Sequence, residues 1–288
     1  MTELPSHLWT PREVFEPEYR RLVARGWQLL AGYDVAVVGL ARNCAGPLAA
    51  NLDRVADLGR RCGHWWLHVE TNDNQDDTEE VLELFCQQHR QASYRSRSLG
   101  RVQYSTEFAG RRTEALAEYR TECQQWVRTT CPAVDLVVVV DFDAWGGWNQ
   151  DGLAHGVAAL DELPDASGMA SVSLMQHEVY ANSGGQVERV PAWLHYDAWA
   201  LRLNSTWDDY TAGQGGWKHQ WIPAVGSPPV PVCSAFGGLA AYVAADYLAG
   251  EYDGSDCEHV TFHASLPGSM YLDPAMRTIM HWVEHAGG

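Results

Sequence analysis

Four consecutive valines, Val137 to Val140, run directly into the acidic tripeptide Asp141-Phe142-Asp143. An uninterrupted apolar run of this kind is typical of a strand buried on both faces, as in the centre of a parallel sheet. Helices must cover both faces of such a sheet, so the run favours an α/β architecture. It also predicts that Asp141 and Asp143 emerge at the carboxyl edge of the sheet, where α/β proteins bind ligands.

The residues before this run alternate short apolar stretches with helical periodicity. Residues 34–43 and 65–70 predict strands, and a helix is expected after each, the second with Thr78 as its N-cap. A long helix is predicted over 112–129, preceded by a basic, weakly structured stretch over 94–105. Strands that alternate with helices predict an α/β sheet with right-handed crossovers.

The second half of the chain has a different composition. Residues 182–221 are rich in glycine and aromatic residues, and five tryptophans fall within them: Trp193, Trp199, Trp207, Trp217 and Trp221. We therefore expect an irregular C-terminal portion. The turn at Gly237 and Gly238 is predicted to lead directly into a helix. Without a repeat or a low-complexity linker, 1–288 is expected to form one domain.

The Asp141-Phe142-Asp143 tripeptide is a candidate metal site. Residues two apart in an extended chain point to the same side, so both carboxylates can face one ligand. Two converging carboxylates repel each other unless a cation lies between them, and hard oxygen ligands select Mg²⁺ or Mn²⁺. The alternative is that one carboxylate caps a helix and the other is solvated.

Polar residues also end the two preceding strands. Arg42 and Asn43 follow the first, and Glu70, Asn72 and Asp73 end the second. Carboxylates and amides at such strand ends can accept from a base N–H or a ribose hydroxyl, and arginine can pair with phosphate. Each of these residues taken alone is better explained as a surface loop residue. Their coincidence with an arginine-rich half and with the downstream Asp141 and Asp143 predicts a nucleotide site.

The net charge of −17 is unevenly distributed along the chain. Residues 1–133 hold 16 basic and 18 acidic residues, whereas 134–288 hold 4 and 19. An anionic ligand is therefore expected in the first half and a cation in the second. Tightly held duplex nucleic acid is disfavoured, because binding by counterion release needs a basic face.

Near the C-terminus, the segment DCEHVTFH brings together Asp256, Glu258, His259 and His263. A zinc protease would have a glutamate directly after the first histidine, and this segment has none. The acids and histidines are therefore interpreted as structural residues, or as contacts to a metal or a substrate.

In combination, the strand ending in ARN, the segment VETNDNQDDT, the helix RRTEALAEYR, VVVVDFDAWGG and DCEHVTFH resemble the GT-A fold nucleotide-sugar glycosyltransferases. The likeness is greatest to the fungal capsule-associated α-mannosyltransferases and their bacterial and viral relatives. It covers most of residues 34–275. The resemblance implies a GT-A type, Rossmann-like, mostly parallel sheet flanked by helices, with a nucleotide-binding half over 1–133 and a metal and acceptor half over 134–288.

The resemblance also implies roles for individual residues. Asp143, Asp141 and His263 would hold Mn²⁺ or Mg²⁺, and Glu258 and Asp256 would approach the sugar and acceptor as catalytic carboxylates. Trp145, Gly237, Gly238 and His259 would contact the donor sugar or the acceptor. The donor nucleotide would be held by Arg42, Asn43, Glu70, Asn72, Asp73, Arg112, Arg120 and Asp141.

The implied activity is metal-dependent transfer of a sugar from a UDP- or GDP-linked donor to a hydroxyl group. The acceptor is left open between a glycan, a small molecule and a hydroxymethylated base of phage DNA, so nucleic acid is expected only as an acceptor. A metal-dependent hydrolase or nucleotidyltransferase, and a non-catalytic carbohydrate-binding module, are the alternatives. The N-terminus has no signal-like or membrane-anchor segment, which predicts no membrane insertion and a cytoplasmic bacterial or phage enzyme, in the host cytoplasm if phage-encoded.

Overall fold

The computed structural model describes residues 4–103, 110–203 and 216–281. Eleven strands and seven helices form there, with short 3₁₀ turns at Ser6–Leu8 and Gly216–Gln220. In chain order they are α1 Glu16–Leu30, β1 Asp34–Ala41, α2 Ala45–Gly59, β2 His64–Asn72, α3 Thr78–Gln88, β3 Ala92–Arg97, α4 Arg111–Thr130, β4 Leu136–Asp141, β5 Gly147–Trp148, α5 Gln150–Glu162, β6 Ala166–Ser183, β7 Gln186–His195, β8 Arg202–Leu203, β9 Val230–Ser234, β10 Leu239–Val243, α6 Ala244–Ala249, α7 Glu258–Ser265 and β11 Ser269–His281.

One sheet runs through both halves of the described chain, in the order β3-β2-β1-β4-β10-β6-β11-β9-β8. Strands β3, β2, β1 and β4 are parallel to one another. Strand β10 then inserts antiparallel between β4 and β6. The carboxyl ends of β2, β1 and β4 therefore lie side by side at one edge of the sheet.

The valine run forms the centre of this sheet, as its composition predicts. Val137 and Val139 pack into the apolar core on one face, and Val138 and Val140 pack into the core on the other. All four are at most 1% exposed. The run thus fixes β4 between two hydrophobic layers and brings Asp141 out at the sheet edge.

The predicted strands of the first half form within two residues of their expected ends, and the long helix does so within one. Two local expectations are wrong. Thr78 is the first residue of α3 and not its N-cap, and its hydroxyl accepts the Cys44 backbone N–H at 2.8 Å. Residues 94–97 of the supposedly weakly structured stretch belong to edge strand β3, because pairing with β2 outweighs their polar composition.

The described residues of the second half are more regular than its composition indicates. Strands β6 and β7 form a long hairpin paired from Leu174 to His195. The segment after Gly238 is strand β10 and not the start of a helix, because the antiparallel slot between β4 and β6 is filled by residues 239–243. Among the described residues, no helix is both long and apolar enough to cross a membrane.

Candidate active site

A cavity of about 350 Å³ opens at the carboxyl ends of β1, β2 and β4. Helix α4 and the start of α7 form its opposite wall. Many of the residues singled out from the sequence line it together: Arg42, Glu70, Asn72, Arg112, Arg120, Asp141, Asp143, Gly238, Glu258 and His259. The fold therefore joins three arginines and several acids from distant parts of the chain in one space.

Two carboxylates enter this cavity from the end of β4. The Asp141 backbone N–H donates to the Gly238 carbonyl at 2.9 Å, which holds the end of β4 against the turn before β10. Asp143 lines the cavity and is exposed to solvent there. Desolvation by the nearby protein atoms, reinforced by the charge of Asp141, still raises the pKa of Asp143 to about 6.

Arg120 is a buried cation that links the two acidic parts of the site. It is 2% exposed, donates to Asp141 Oδ1 at 2.5 Å, and its Nε lies 3.9 Å from Glu258 Oε1. Burial by itself would lower the pKa of Arg120, but the charges of Asp141 and Glu258 outweigh it and raise the pKa above its usual value. Arg120 thus stays charged inside the protein.

Glu258 begins helix α7 and faces the same cavity, where it is 4% exposed. Burial raises the pKa of Glu258, and the opposing effect of Arg120 only partly offsets this. A carboxyl group with a raised pKa beside a fixed cation is suited to accept a proton.

Glu70 lies at the far end of the cavity, at the end of β2. His68 Nε2 is hydrogen-bonded to Glu70 Oε1 at 2.9 Å, and Arg95 Nε lies 2.9 Å from the same oxygen. The His68 ring stacks on Trp126, with ring centroids 4.8 Å apart. Glu70 is therefore held in one orientation by groups of its own sheet and of α4.

Arg42 and Asn43 occupy the loop between β1 and α2. The Arg42 guanidinium donates to the carbonyl oxygens of Arg101 and Val102. Asn43 takes a positive φ of 49°, and its side-chain oxygen accepts the Gln75 backbone N–H at 2.7 Å. These contacts shape the loop, while Arg42 still lines the cavity.

A second cavity of about 400 Å³ adjoins the first, and both are lined by Arg42 and Asp143. Asn43 and Trp145 line this second cavity. Trp145 is 42% exposed. A Cβ added to Gly46 would lie 2.8 Å from the Trp145 ring, so the lack of a side chain at Gly46 lets the indole pack closely there.

Four of the predicted site residues do not line either cavity. The Asp73 carboxylate accepts the backbone N–H groups of residues 99, 100 and 101 at 2.8–3.0 Å. The pKa of Asp73 is lowered to about 2. The main cause is the hydrogen bond from the amide of Asn72, and these backbone N–H groups lower it further. Gly237 donates its N–H to Asp197 Oδ2 at 2.9 Å.

The other two residues belong to the α7 segment. Asp256 accepts its neighbour's backbone N–H, from Cys257, at 2.6 Å and lies 3.5 Å from Arg202. Both ring nitrogens of His263 are engaged, Nδ1 with the Ser234 hydroxyl at 2.9 Å and Nε2 with the Tyr242 hydroxyl at 2.8 Å. The structure therefore does not bring Asp256 or His263 to the carboxylates of β4.

The sequence reasoning missed Asp197, a further carboxylate of the cavity wall. It follows the end of β7, accepts the N–H groups of Gly237 and Ala200 at 2.9 and 3.2 Å, and has a pKa raised by burial. Its position two residues after the end of a strand is the sequence signal that could have identified it as a site residue. Of the tryptophans, Trp199 lines the cavity, whereas Trp207 and the side chain of Trp217 lie outside the described residues.

The oxygen ligands in the cavity suit a metal ion that is bound together with a substrate. Within 4–103, 110–203 and 216–281, no group of three or more His, Cys, Asp or Glu residues could hold a metal ion. Asp141 and Asp143 still offer two hard oxygen donors at one strand end. Mg²⁺ is typically held by one or two carboxylates with water and substrate phosphates completing the shell, and this arrangement fits that chemistry.

Several solved structures are similar to this chain. GalNAc-T7, solved with UDP, GalNAc and Mn²⁺, aligns with 98% of this chain at 10% identity and a TM-score of 0.52. The mannosyltransferase PcManGT of Pyrobaculum calidifontis, solved with GDP-Man and Mn²⁺, aligns with 92% of it at 14% identity, but its TM-score of 0.47 is too low to support an inference. By sequence, no protein-family profile and no curated protein matches the chain.

The likeness to GalNAc-T7 concerns the fold. The predicted GT-A type α/β fold is confirmed, with strands and helices in the arrangement described above. This chain spans 55% of the length of the GalNAc-T7 chain and 66% of that of PcManGT.

Proposed function

We propose that this protein is a glycosyltransferase that moves a sugar from a UDP- or GDP-linked donor to a hydroxyl acceptor, with Mn²⁺ or Mg²⁺. The observation that carries the proposal is that the main cavity, at three parallel strand ends, is lined by Arg42, Arg112 and Arg120 together with Asp141 and Asp143. A nucleoside diphosphate needs both polar strand ends for its nucleoside and cations for its phosphates.

The order of the strands across the sheet determines which way the nucleotide-sugar donor would lie in the cavity. Glu70, Asn72 and Arg42 at the ends of β2 and β1 would hold the nucleoside, and Arg120 and Arg112, beside the end of β4, would face the diphosphate. A divalent ion bound at Asp143 and Asp141 would neutralise charge that develops on the departing diphosphate. Arg120 would add a fixed positive charge there, already oriented by Asp141.

Glu258 is the proposed carboxylate of the transfer step. In an inverting reaction it would take the proton of the acceptor hydroxyl as that oxygen bonds to the anomeric carbon and the carbon–phosphate oxygen bond breaks. In a retaining reaction it would orient the sugar or stabilise positive charge on the ring. Asp256, which lies outside the cavity, is left with a supporting role in this proposal.

The acceptor would approach from the second cavity, past the exposed face of Trp145. Aromatic faces pack well against sugar rings and bases, so glycans, small molecules and a modified nucleobase all stay within the proposal. The likeness to the fungal capsule-associated enzymes is also part of the proposal. A hydrolase with a multi-carboxylate metal centre is less well supported, since the described residues contain no cluster of three metal-binding side chains.

Calorimetry with UDP and GDP, each with and without Mn²⁺, tests the proposal. We expect one nucleotide to bind more tightly than the other and Mn²⁺ to strengthen that binding. Asp53 is an exposed acid on α2 that lines neither cavity. The variant Asp53→Asn is therefore a control and should bind both nucleotides like the parent protein. Equal, metal-independent or absent binding of both nucleotides would contradict the proposal.

A further inference from the structure

His259 lies in the cavity wall with both ring nitrogens unpaired. It is 2% exposed, lines the main cavity, and neither Nδ1 nor Nε2 has a hydrogen-bond partner in the described structure. Buried polar atoms without partners cost free energy, and nearly all such atoms in proteins are paired. The occupant of the cavity is therefore the natural partner for the two nitrogens.

The ring of His259 is held rigidly. It stacks on Phe236 with ring centroids 3.7 Å apart and an interplanar angle of 17°. Its Nε2 lies 3.5 Å from Glu258 Oε1 without a hydrogen bond. His263, one turn further along α7, differs in that both of its nitrogens are already bonded within the protein.

Burial, followed by the positive charge of Arg120, lowers the pKa of His259 well below its usual range. The ring is therefore neutral near neutral pH, with one nitrogen donating and the other accepting. A phosphate only accepts hydrogen bonds and would leave one nitrogen unpaired. A sugar hydroxyl both donates and accepts, so hydroxyl groups satisfy both nitrogens.

The place of His259 in the fold also selects the sugar end of the donor. Neighbouring strands lie about 4.8 Å apart, so Glu70 on β2 is about 10 Å from Asp141 on β4, two strands away. Strand β9 lies further along the sheet, on the side of β4 away from β2, and helix α7 packs against β9 and α4. A donor with its nucleoside at β2 and β1 and its diphosphate at Arg120 places its sugar against the start of α7.

We propose that His259 is a specificity-determining residue for the donor sugar, donating one hydrogen bond to the sugar hydroxyls and accepting another. This inference rests on the proposed function. It adds that the protein discriminates among sugars on the same nucleotide through a neutral imidazole next to Glu258. His259 makes no bond to the nucleotide, so its contribution appears only when the sugar is present.

The test compares the affinity for the preferred nucleoside diphosphate with the affinity for its sugar conjugates, by calorimetry with Mn²⁺. The conjugates are UDP-glucose and UDP-galactose, or GDP-mannose and GDP-glucose, two pairs of epimers. His259→Phe keeps the stacking on Phe236 and removes both nitrogens. We expect this variant to bind the free diphosphate like the parent protein, to bind the preferred conjugate about tenfold more weakly, and to lose the preference between epimers.

Two further variants separate hydrogen bonding from packing. His259→Asn, which supplies a donor and an acceptor on a shorter side chain, should restore part of the preference. It also provides a second measurement if His259→Phe does not fold. His263→Phe is the matched control on the same helix, and it should lower the melting temperature but keep the epimer preference.

A His259→Phe variant with unchanged epimer preference and conjugate affinity would overturn the inference but leave the proposed function intact. Absence of diphosphate binding by the parent protein would overturn both.

Discussion

Individual side chains at the end of β4 have different surroundings. Asp141 is bonded to the buried Arg120, whereas Asp143 faces the junction of the two cavities. A carboxylate neutralised by arginine has less charge to offer a metal, so we propose Asp143 as the primary ligand. Asp141 would be the weaker ligand and would also orient Arg120.

Replacement of Asp143 tests this division of roles. Asp143→Asn should lower turnover at least about 100-fold, because a bound cation contributes several kcal/mol of leaving-group stabilisation. It should also abolish the effect of Mn²⁺ on nucleotide affinity measured by calorimetry. Retention of full activity by this variant in EDTA would show that Asp143 holds no essential metal.

The pH dependence of metal binding follows from the pKa of Asp143. Since desolvation and Asp141 raise that pKa to about 6, the carboxyl group takes up a proton as the pH falls through this value, and protons then compete with the metal. The strengthening of nucleotide binding by Mn²⁺ should be complete near pH 8 and decline below about pH 6. Calorimetry across this range measures the effect. A Mn²⁺ contribution that stays constant down to about pH 5 would contradict it.

Glu258→Gln separates catalysis from stability. Burial raises the pKa of Glu258, and an acid whose pKa is raised by folding stabilises the folded state less as the pH rises. Near neutral pH the neutral amide should therefore keep or raise the melting temperature while turnover falls by at least about 100-fold. A calorimetric melting curve and a transfer assay measure the two effects. Near-normal transfer by this variant would exclude Glu258 as the catalytic carboxylate.

At the level of secondary-structure elements, the turn before β10 shapes the cavity wall. Gly237 and Gly238 have φ values of 65° and 79°, in the left-handed region that favours glycine. The Gly237 N–H bonds to Asp197, and the Gly238 carbonyl accepts the N–H of Asp141. One tight turn therefore positions acids that come from β4 and from the end of β7.

A pair of glycine substitutions tests how tightly this turn is packed. A Cβ at Gly237 would lie 2.1 Å from the Ser171 carbonyl oxygen, whereas a Cβ at Gly184, with a similar φ of 62°, would meet nothing within 4 Å. Gly184→Ala should cost about 1 kcal/mol of unfolding free energy from backbone strain alone. Gly237→Ala should cost at least about 2 kcal/mol more, as measured by urea denaturation. Equal losses would show that the turn can relax.

For the whole molecule, the two halves of the chain contribute side chains of opposite charge to one cavity. The nearly balanced first half supplies the arginines of the cavity, and the strongly acidic second half supplies Asp141, Asp143 and Glu258. Three arginines line the cavity of a chain whose net charge is −17. This arrangement suits a small anionic ligand held with a cation.

The overall charge predicts poor binding of duplex DNA. Binding by counterion release needs several cations along one face, and 134–288 contains only 4 basic residues. In about 0.15 M salt, a fluorescent duplex of unmodified DNA should show no saturable change in anisotropy at micromolar protein. Submicromolar binding under these conditions would show that the arginines form a continuous nucleic-acid surface.

Local sequence signals were enough to predict the parallel strands β1, β2 and β4 and the polar residues at their carboxyl ends. Apolar runs, helical spacing and chain breaks are local signals, and a valine run buried on both faces admits few alternatives. The ends of β1, β2 and β4, and the placement of Arg42, Glu70, Asn72, Asp141 and Asp143 around one space, follow from these signals and from the rules for parallel sheets.

Which residues of the second half face the cavity depends on contacts between distant parts of the chain. Residues 239–243 form a strand because β4 and β6 leave an antiparallel slot for them, a contact across about 70 to 100 residues that no local pattern encodes. In the same way, the orientation of α7 turns Glu258 and His259 toward the cavity and His263 toward Ser234 and Tyr242. Side-chain direction on a helix depends on what the helix packs against, and that partner is fixed only when the whole sheet has formed.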